Sequence, residues 1–374
     1  MRMEFAHGNH EPSSIQETTL TPRVEVIFAG WRHEDWNLQG ANRLSKVVDE
    51  ACAKSDDSVI VFIENSPRTR EQSEQLTQEV MFYGPLQIYA SQAIRNEGGS
   101  ITMESVTQRI EQLLACENPL DAVEQGLITG VALSQFAFGK TLDTHVINKR
   151  ISVMHEGQSE EEVRSAEQAT QVITEAGQEM INEWNAGSFD KAVNVYSGAK
   201  RLITEKLILP RNRIWANDIN EKISQLIERD LKGTIVVTGG AAHYGVMCEL
   251  SDQLEGSSIK LQLIEIPGIN SPDLQIGQLI ADGFVDEDIP EEMKARALLG
   301  SMLKESWKHH FITGDDFDER GFYQHYDDAY TIMDNISNSM SVDEIRRLCE
   351  EKVDLFQFLK SHPLAQDIAK YLPA

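Results

Sequence analysis

Two short apolar runs in this chain each end in the tetrapeptide pattern Gly-x-x-His. They are VEVIFA, leading into Gly30-Trp31-Arg32-His33, and TIVVTG, leading into Gly240-Ala241-Ala242-His243. Short runs rich in Val and Ile, bounded by turn residues, read as buried strands, and a glycine at the strand end lets the chain turn sharply. The common framing extends further. Residues 37–54 place Leu38, Ala41, Leu44, Val47, Val48 and Ala51 at helical spacing, and the apolar run 59–63 leads into Glu64. After His243 come a short helix over 244–254 and a strand over 259–266 that carries Glu265. Both units read strand, Gly-x-x-His, helix, strand, carboxylate. Open sheets of this kind bind ligands at the carboxyl ends of their strands, so the two histidines are expected to share one site.

Composition narrows the functional classes. The chain has 374 residues, 41% hydrophobic and 25% charged, enough apolar material for a large core. A formal net charge of -26 argues against nucleic acid and against an anionic membrane surface as partners, since phosphate contacts need clustered Lys and Arg. Cys52, Cys116, Cys248 and Cys349 are widely separated and form no Cys-x-x-Cys pair, which suits a reducing compartment rather than a disulfide framework. The N-terminal stretch has no apolar core of a signal peptide, and no run approaches the length of a membrane span, so a cytoplasmic protein is expected.

The expected fold class is α/β: a layered mixed sheet built from the two strand-GxxH-helix-strand units, with a helical insertion and a C-terminal helical appendage. Residues 1–22 read as a flexible lead-in, 23–289 as the α/β domain with its insertion over about 100–232, and 290–374 as the appendage. Within the insertion, helical spacing over 102–138 breaks near Asn118-Pro119, and a short strand over 151–154 leads to His155 and Glu156. A long acidic helix follows over 159–186, another over 191–206, and the Leu207-Ile208-Leu209-Pro210 stretch is expected to break the chain before a helix over 213–232. Residues 87–95 fit either strand or helix, and a helix is expected over 70–80.

Histidine can ligate a metal or act as general base, its unperturbed pKa being about 6.5. His33, His243 and Glu64 supply two imidazoles and a carboxylate, sufficient for a catalytic metal with positions left open for water. Glu64 closes an otherwise apolar strand, where a charge needs compensation. Arg68, four residues on, and Arg211 could each clamp a substrate carboxylate or steady an oxyanion, while Asn212 could cap a helix or join the site.

Taken in order, Gly30-x-x-His33, the strand ending at Glu64 with Arg68 after it, Arg211-Asn212 followed by Trp215-Ala216 and Ile219, and Gly240-x-x-His243 resemble the signature of the TIKI and TraB/pheromone-shutdown proteins. That group is similar to a wider superfamily holding the erythromycin esterases and the haem-binding ChaN lipoproteins. The stretch LDTHVINKRISVMHEG resembles its central motif, an Asp-led helix followed by a strand ending in Glu, which places Asp143 and Glu156 at family positions. The resemblance spans residues 24–266, about two thirds of the chain. It implies a hydrolase cleaving a peptide or ester bond. His33 and His243 would hold a divalent metal (Mn, Zn or Co), with Glu64 or Glu156 as ligand or general base and Arg68 or Arg211 on the oxyanion. An esterase-like variant needs no metal. The alternatives are a non-catalytic binder of haem or a small molecule, and an interaction module whose site has decayed.

Other patterns carry less. Gly139-Lys140-Thr141 lacks the leading glycine of a phosphate loop, so no nucleotide is expected. Asp316, Asp318 and Asp327 outline a calcium loop that Arg320 opposes, and the adjacent His309 and His310 point apart on a helix.

Overall fold

The computed structural model describes residues 24–31, 38–55, 59–64, 69–72, 84–155, 157–254, 259–264, 270–313 and 324–366. Its centre is a five-stranded sheet. The chain enters it through β1 (Val24–Trp31), crosses by helix α1 (Leu38–Lys54) and returns as β2 (Val59–Ile63). Helices α2 (Gly84–Asn96), α3 (Met103–Ala115), α4 (Pro119–Glu124) and α5 (Leu133–Ile147) precede β3 (Ile151–His155). Then come α6 (Glu160–Ala186), α7 (Phe189–Ile203), α8 (Leu209–Glu228), β4 (Gly233–Gly240), α9 (Gly245–Gln253) and β5 (Ile259–Leu263). The strand order is β3-β2-β4-β1-β5. Every pairing among the described strands is parallel, which corrects the mixed sheet expected from sequence. The reason lies in the connections: each passes through at least one helix, and such a crossover returns the chain in the same direction.

Alternation along the strands sends side chains to two faces. Val24, Val26 and Phe28 of β1, Phe62 of β2 and Ile235 and Val237 of β4 pack with Trp215, Ala216, Ile219 and Ile223 of α8. The intervening Ala29, Val59, Val61 and Val236 join a larger cluster with Leu38, Ala41, Leu44 and Val48 of α1. Burial on both faces is why these strands read as unbroken apolar runs rather than as an alternation.

Several boundaries follow from local chemistry. Asn118 caps α4 by accepting from the Leu120 N–H at 3.0 Å, and Pro119 opens that helix, so the expected interruption is a helix start. Ser159 and Glu162 form a capping box on α6, and Gly187, at φ 82°, ends it in the left-handed conformation. Residues 87–95 are helical, within α2. The expected break at Leu207–Pro210 is instead a π turn, Thr204–Ile208, that joins α7 to α8 without interruption. Leu209 N–H bonds the Thr204 carbonyl five residues back, and this wider turn makes room for the Pro210 ring. Of the helix expected over 70–80, residues 70–72 are described and helical.

The C-terminal part consists of α10 (Pro272–Ala281), α11 (Glu291–Thr313), α12 (Tyr326–Ser339), α13 (Val342–Glu350) and α14 (Leu355–Ser361). Of these, α11 to α14 fall in the stretch expected as an appendage, and they share the larger apolar cluster: Leu298, Leu303, Tyr330, Ile345 and Phe356 pack in it with α1 and the sheet. Arg43 of α1 meets Asp327 at 3.3 Å, and the Cys349 thiol donates to the Trp184 carbonyl. No helix among the described residues is long and apolar enough to cross a membrane.

Candidate functional site

The carboxyl ends of β2, β4 and β1 lie side by side. Ile63 is in register with Thr238, Gly30 with Gly239 and Trp31 with Gly240, so the two Gly-x-x-His motifs leave neighbouring parallel strands one residue out of step. Glu64 continues β2 by one residue, its N–H donating to the Thr238 carbonyl at 2.9 Å.

The Glu64 side chain is 5% exposed and fully engaged. Oε1 lies 3.1 Å from Arg211 Nη1 and 3.2 Å from His243 Nε2, and Oε2 accepts from the Gly240 N–H. A carboxylate taken from water is costly unless donors replace its hydration, and the Arg211 guanidinium and the Gly240 N–H supply the compensation that a charge at the end of an apolar strand requires.

His243 sits in a single 3-10 turn, Ala241–Tyr244, between β4 and α9, and is 3% exposed. Asn212 Oδ1 is 2.7 Å from its Nδ1, and the Trp215 indole stacks on the ring at 4.7 Å between centroids. Arg211 lies over the same indole, 5.5 Å from its centre. Arg211 and Trp215 are one turn apart on α8 and therefore face the sheet together, with Asn212 beside them. Asn212 lies inside the helix rather than capping it, and its buried amide serves the imidazole.

Two glycines make the approach possible. A Cβ on Gly239 would stand 2.7 Å from the Trp215 ring, and one on Gly245 would stand 2.8 Å from Asn212 Nδ2. Gly240, the motif glycine, has φ −55°, open to any residue; its contribution is the N–H given to Glu64. The sharp turn expected there is thus replaced by a steric demand one residue earlier. Trp31 packs half-buried against the larger cluster, whereas Trp215 belongs to the smaller one.

His33, Arg68 and Glu156 lie outside the described residues, as does Glu265. The residues flanking two of them are joined: Thr69 and Gln158 form a parallel bridge, and Arg70 N–H donates to the Gln158 carbonyl at 3.0 Å. Arg70 also reaches Asp218 of α8 at 3.0 Å. The segments next to Arg68 and Glu156 are therefore tied to each other and to the helix that carries Arg211 and Asn212. The Asp316 and Arg320 positions also lie outside the described residues. The His309 and His310 rings are 6.1 Å apart and inclined at 74°.

The described donors do not fit a divalent cation as they stand. His243 and Glu64 form a pair, no group of three His, Cys, Asp or Glu side chains that could hold a metal occurs among the described residues, and the Arg211 guanidinium shares Glu64 Oε1. A fixed positive charge on the ligand oxygen opposes a second one.

Asp143 is buried in α5, with no hydrogen bond of ordinary geometry to either carboxyl oxygen among the described residues. Burial pushes its pKa up to about 7, against the pull of the nearby Leu86 N–H in the first turn of α2. Asp143 in turn helps burial to hold the Tyr89 phenol far above its ordinary range.

A second polar cluster, built around the buried Lys200 and Tyr196, was not anticipated. Lys200 of α7 meets Asp273 of α10 at 2.6 Å, and the Tyr196 hydroxyl donates to the same carboxylate. Burial would raise the Asp273 carboxyl, but the Lys200 charge and the two hydrogen bonds outweigh it and hold the group below its usual value. The available signal was periodicity: Lys200 falls on the stripe of Phe189, Ala192, Val193 and Tyr196, where a lysine needs a partner.

Compared with protein-family models, curated proteins and solved structures, the chain gives no match.

Proposed function

We propose that this protein is a hydrolase acting on a peptide or ester bond at the carboxyl edge of its sheet. The observation that carries the reading is the buried Glu64-His243-Asn212 chain with Arg211 on the same carboxylate. A carboxylate, an imidazole oriented through Nδ1 and a guanidinium are the groups that water activation and oxyanion stabilisation require. The resemblance to the TIKI and TraB group supports the same class.

In this reading Asn212 fixes the imidazole through Nδ1, and Nε2, with the longer contact, is the working nitrogen. A water admitted beside Nε2 gives its proton to His243 as its oxygen attacks the carbonyl carbon. Glu64, against the same nitrogen, balances the charge of the imidazolium so formed; the nitrogen that a triad carboxylate holds is held here by Asn212. Arg211 stabilises the oxyanion, and the imidazolium returns the proton to the leaving group. The resemblance would add His33 as a second histidine, Arg68 as a second cation for the oxyanion and Glu156 as an additional carboxylate.

Turnover of a panel of peptides and carboxylic esters tests this. His243→Ala and Arg211→Met should each lower the rate roughly 100-fold or more. A wild-type rate no higher than buffer across the panel, or folded variants that retain it, would overturn the proposal.

The metal-dependent form is the second reading, favoured by one observation. The His243 imidazole and the Glu64 carboxylate, 3.2 Å apart, are two of the ligand types such a site uses. His33, His243 and Glu64 would hold the metal, which would acidify a bound water, and Arg211 would have to leave Oε1. One Mn, Zn or Co per chain in purified protein, lost in His243→Ala, is the expected result; a metal content equal in both proteins counts against it.

A further inference from the structure

Asn212 also lines a cavity of about 170 Å³, bounded by the end of α7, the π turn, α8, the 3-10 turn, α9 and α10. It is smaller than the roughly 300–1,000 Å³ of sites for drug-sized ligands, so it has room only for a small molecule. Its wall is chemically polarised. Lys200, Thr204 and Asn212 form the floor and are all buried, whereas Glu249 and Asp282 stand at the more exposed end.

Lys200 is the single basic side chain among the described lining residues, and its ammonium carries three donors, of which Asp273 takes one at 2.6 Å. At the rim, the Tyr244 hydroxyl donates to Gln278 and Gln278 Nε2 donates to Asp282 at 2.8 Å, which fixes that carboxylate in place. Burial, with Cys248 and Asp282 beside it, pushes the Tyr244 phenol up to about 12.

We propose that this cavity binds a small zwitterion of the free α-amino acid class. The ligand carboxylate meets Lys200 and the Asn212 amide at the floor, and the ammonium meets Glu249 and Asp282 at the rim. Nothing in the argument requires that the neighbouring site hydrolyse anything. The two are nevertheless linked, because the Asn212 that lines this floor also holds His243 Nδ1.

Isothermal titration of the full chain with the standard free amino acids, each beside its N-acetyl and carboxamide derivative, tests the proposal. The expected result is one-to-one binding of at least one free amino acid, with both derivatives at least tenfold weaker. Lys200→Met leaves Asp273 without its partner and can fail to fold, so the decisive variant is Glu249→Gln with Asp282→Asn at the exposed rim. It should keep the wild-type melting temperature and lose at least tenfold in affinity. No binding by any free amino acid at millimolar concentration, derivatives that bind as tightly as their parents, or a rim variant with unchanged affinity would each overturn it. A failed titration beside measurable hydrolysis removes this proposal alone, and the converse removes only the other.

Discussion

Gly239 and the indole of Trp215 are in such close approach that a methyl group on the glycine would stand 2.7 Å from the ring. The contact matters because the same indole stacks on His243 and lies beneath Arg211. Strand β4 and helix α8 can close on each other only if β4 ends without a side chain. Gly239→Ala should therefore cost about 1–3 kcal/mol, the usual penalty for overpacking a full interior. Urea unfolding measures the cost, and a crystal structure of the variant should show the Trp215 and His243 rings moved together. A variant as stable as wild type, with both rings in place, would show that the helix can yield there.

Glu64 and Arg211 form an ion pair with both side chains under a tenth exposed. Removing one member strands the other, so Glu64→Gln should destabilise the fold by about 3–5 kcal/mol. Adding Arg211→Met to that variant should restore part of the loss, because no uncompensated charge then remains. A double-mutant cycle in chemical denaturation gives the coupling between them. Additive losses would mean that the pair contributes nothing as a pair.

Asn212 makes its hydrogen bond to His243 in full burial, and Asn212→Ala leaves a ring nitrogen unpaired at about 1–3 kcal/mol. Activity should fall further than this loss of stability explains, because the imidazole also loses its orientation. Comparing the rate at a temperature where the variant is fully folded with that of wild type separates the two effects. Equal rates would reduce Asn212 to a packing residue.

Asp143 makes stability depend on pH in a direction opposite to that of a paired carboxylate. Burial raises its folded pKa from 3.8 to about 7, so between these values the folded chain holds a proton that the unfolded chain releases. Its contribution is fully present below the unfolded value and is lost as pH rises through the folded one. Asp143→Asn, which carries no charge at any pH, should be increasingly favoured over wild type from pH 5 to pH 8 in urea titrations. A stability difference that stays flat over that range would contradict the burial argument.

Much of the sheet was legible in the chain because buried parallel strands leave a strong local record. VEVIFA, VIVFI and TIVVTG are continuous apolar runs, and all three are strands close to their expected limits. Glu64 stood out for the same reason, as a charge where apolar residues end. The π turn was less legible, because Pro210 announces a disturbed helix without saying whether the helix stops or widens. Lys200 was overlooked because a lysine on an amphipathic helix usually extends to solvent, and its partner Asp273 lies 73 positions further along.

The chain by itself determined which residues would stand at strand ends: the apolar runs set the strands, and the turn residues set where they stop. It therefore placed Glu64 and His243 as candidates, and it marked the Arg211-Asn212 pair beside Pro210. Tertiary structure decided which of these groups meet. The order β3-β2-β4-β1-β5 inserts β4 between β2 and β1, and this brings the Glu64 carboxylate to the His243 ring and to an arginine on the covering helix. Strand order has no local signature, because it is set by how the crossover helices pack on the two faces. The ion pair, the stacked indole and the shared amide of Asn212 are consequences of that packing.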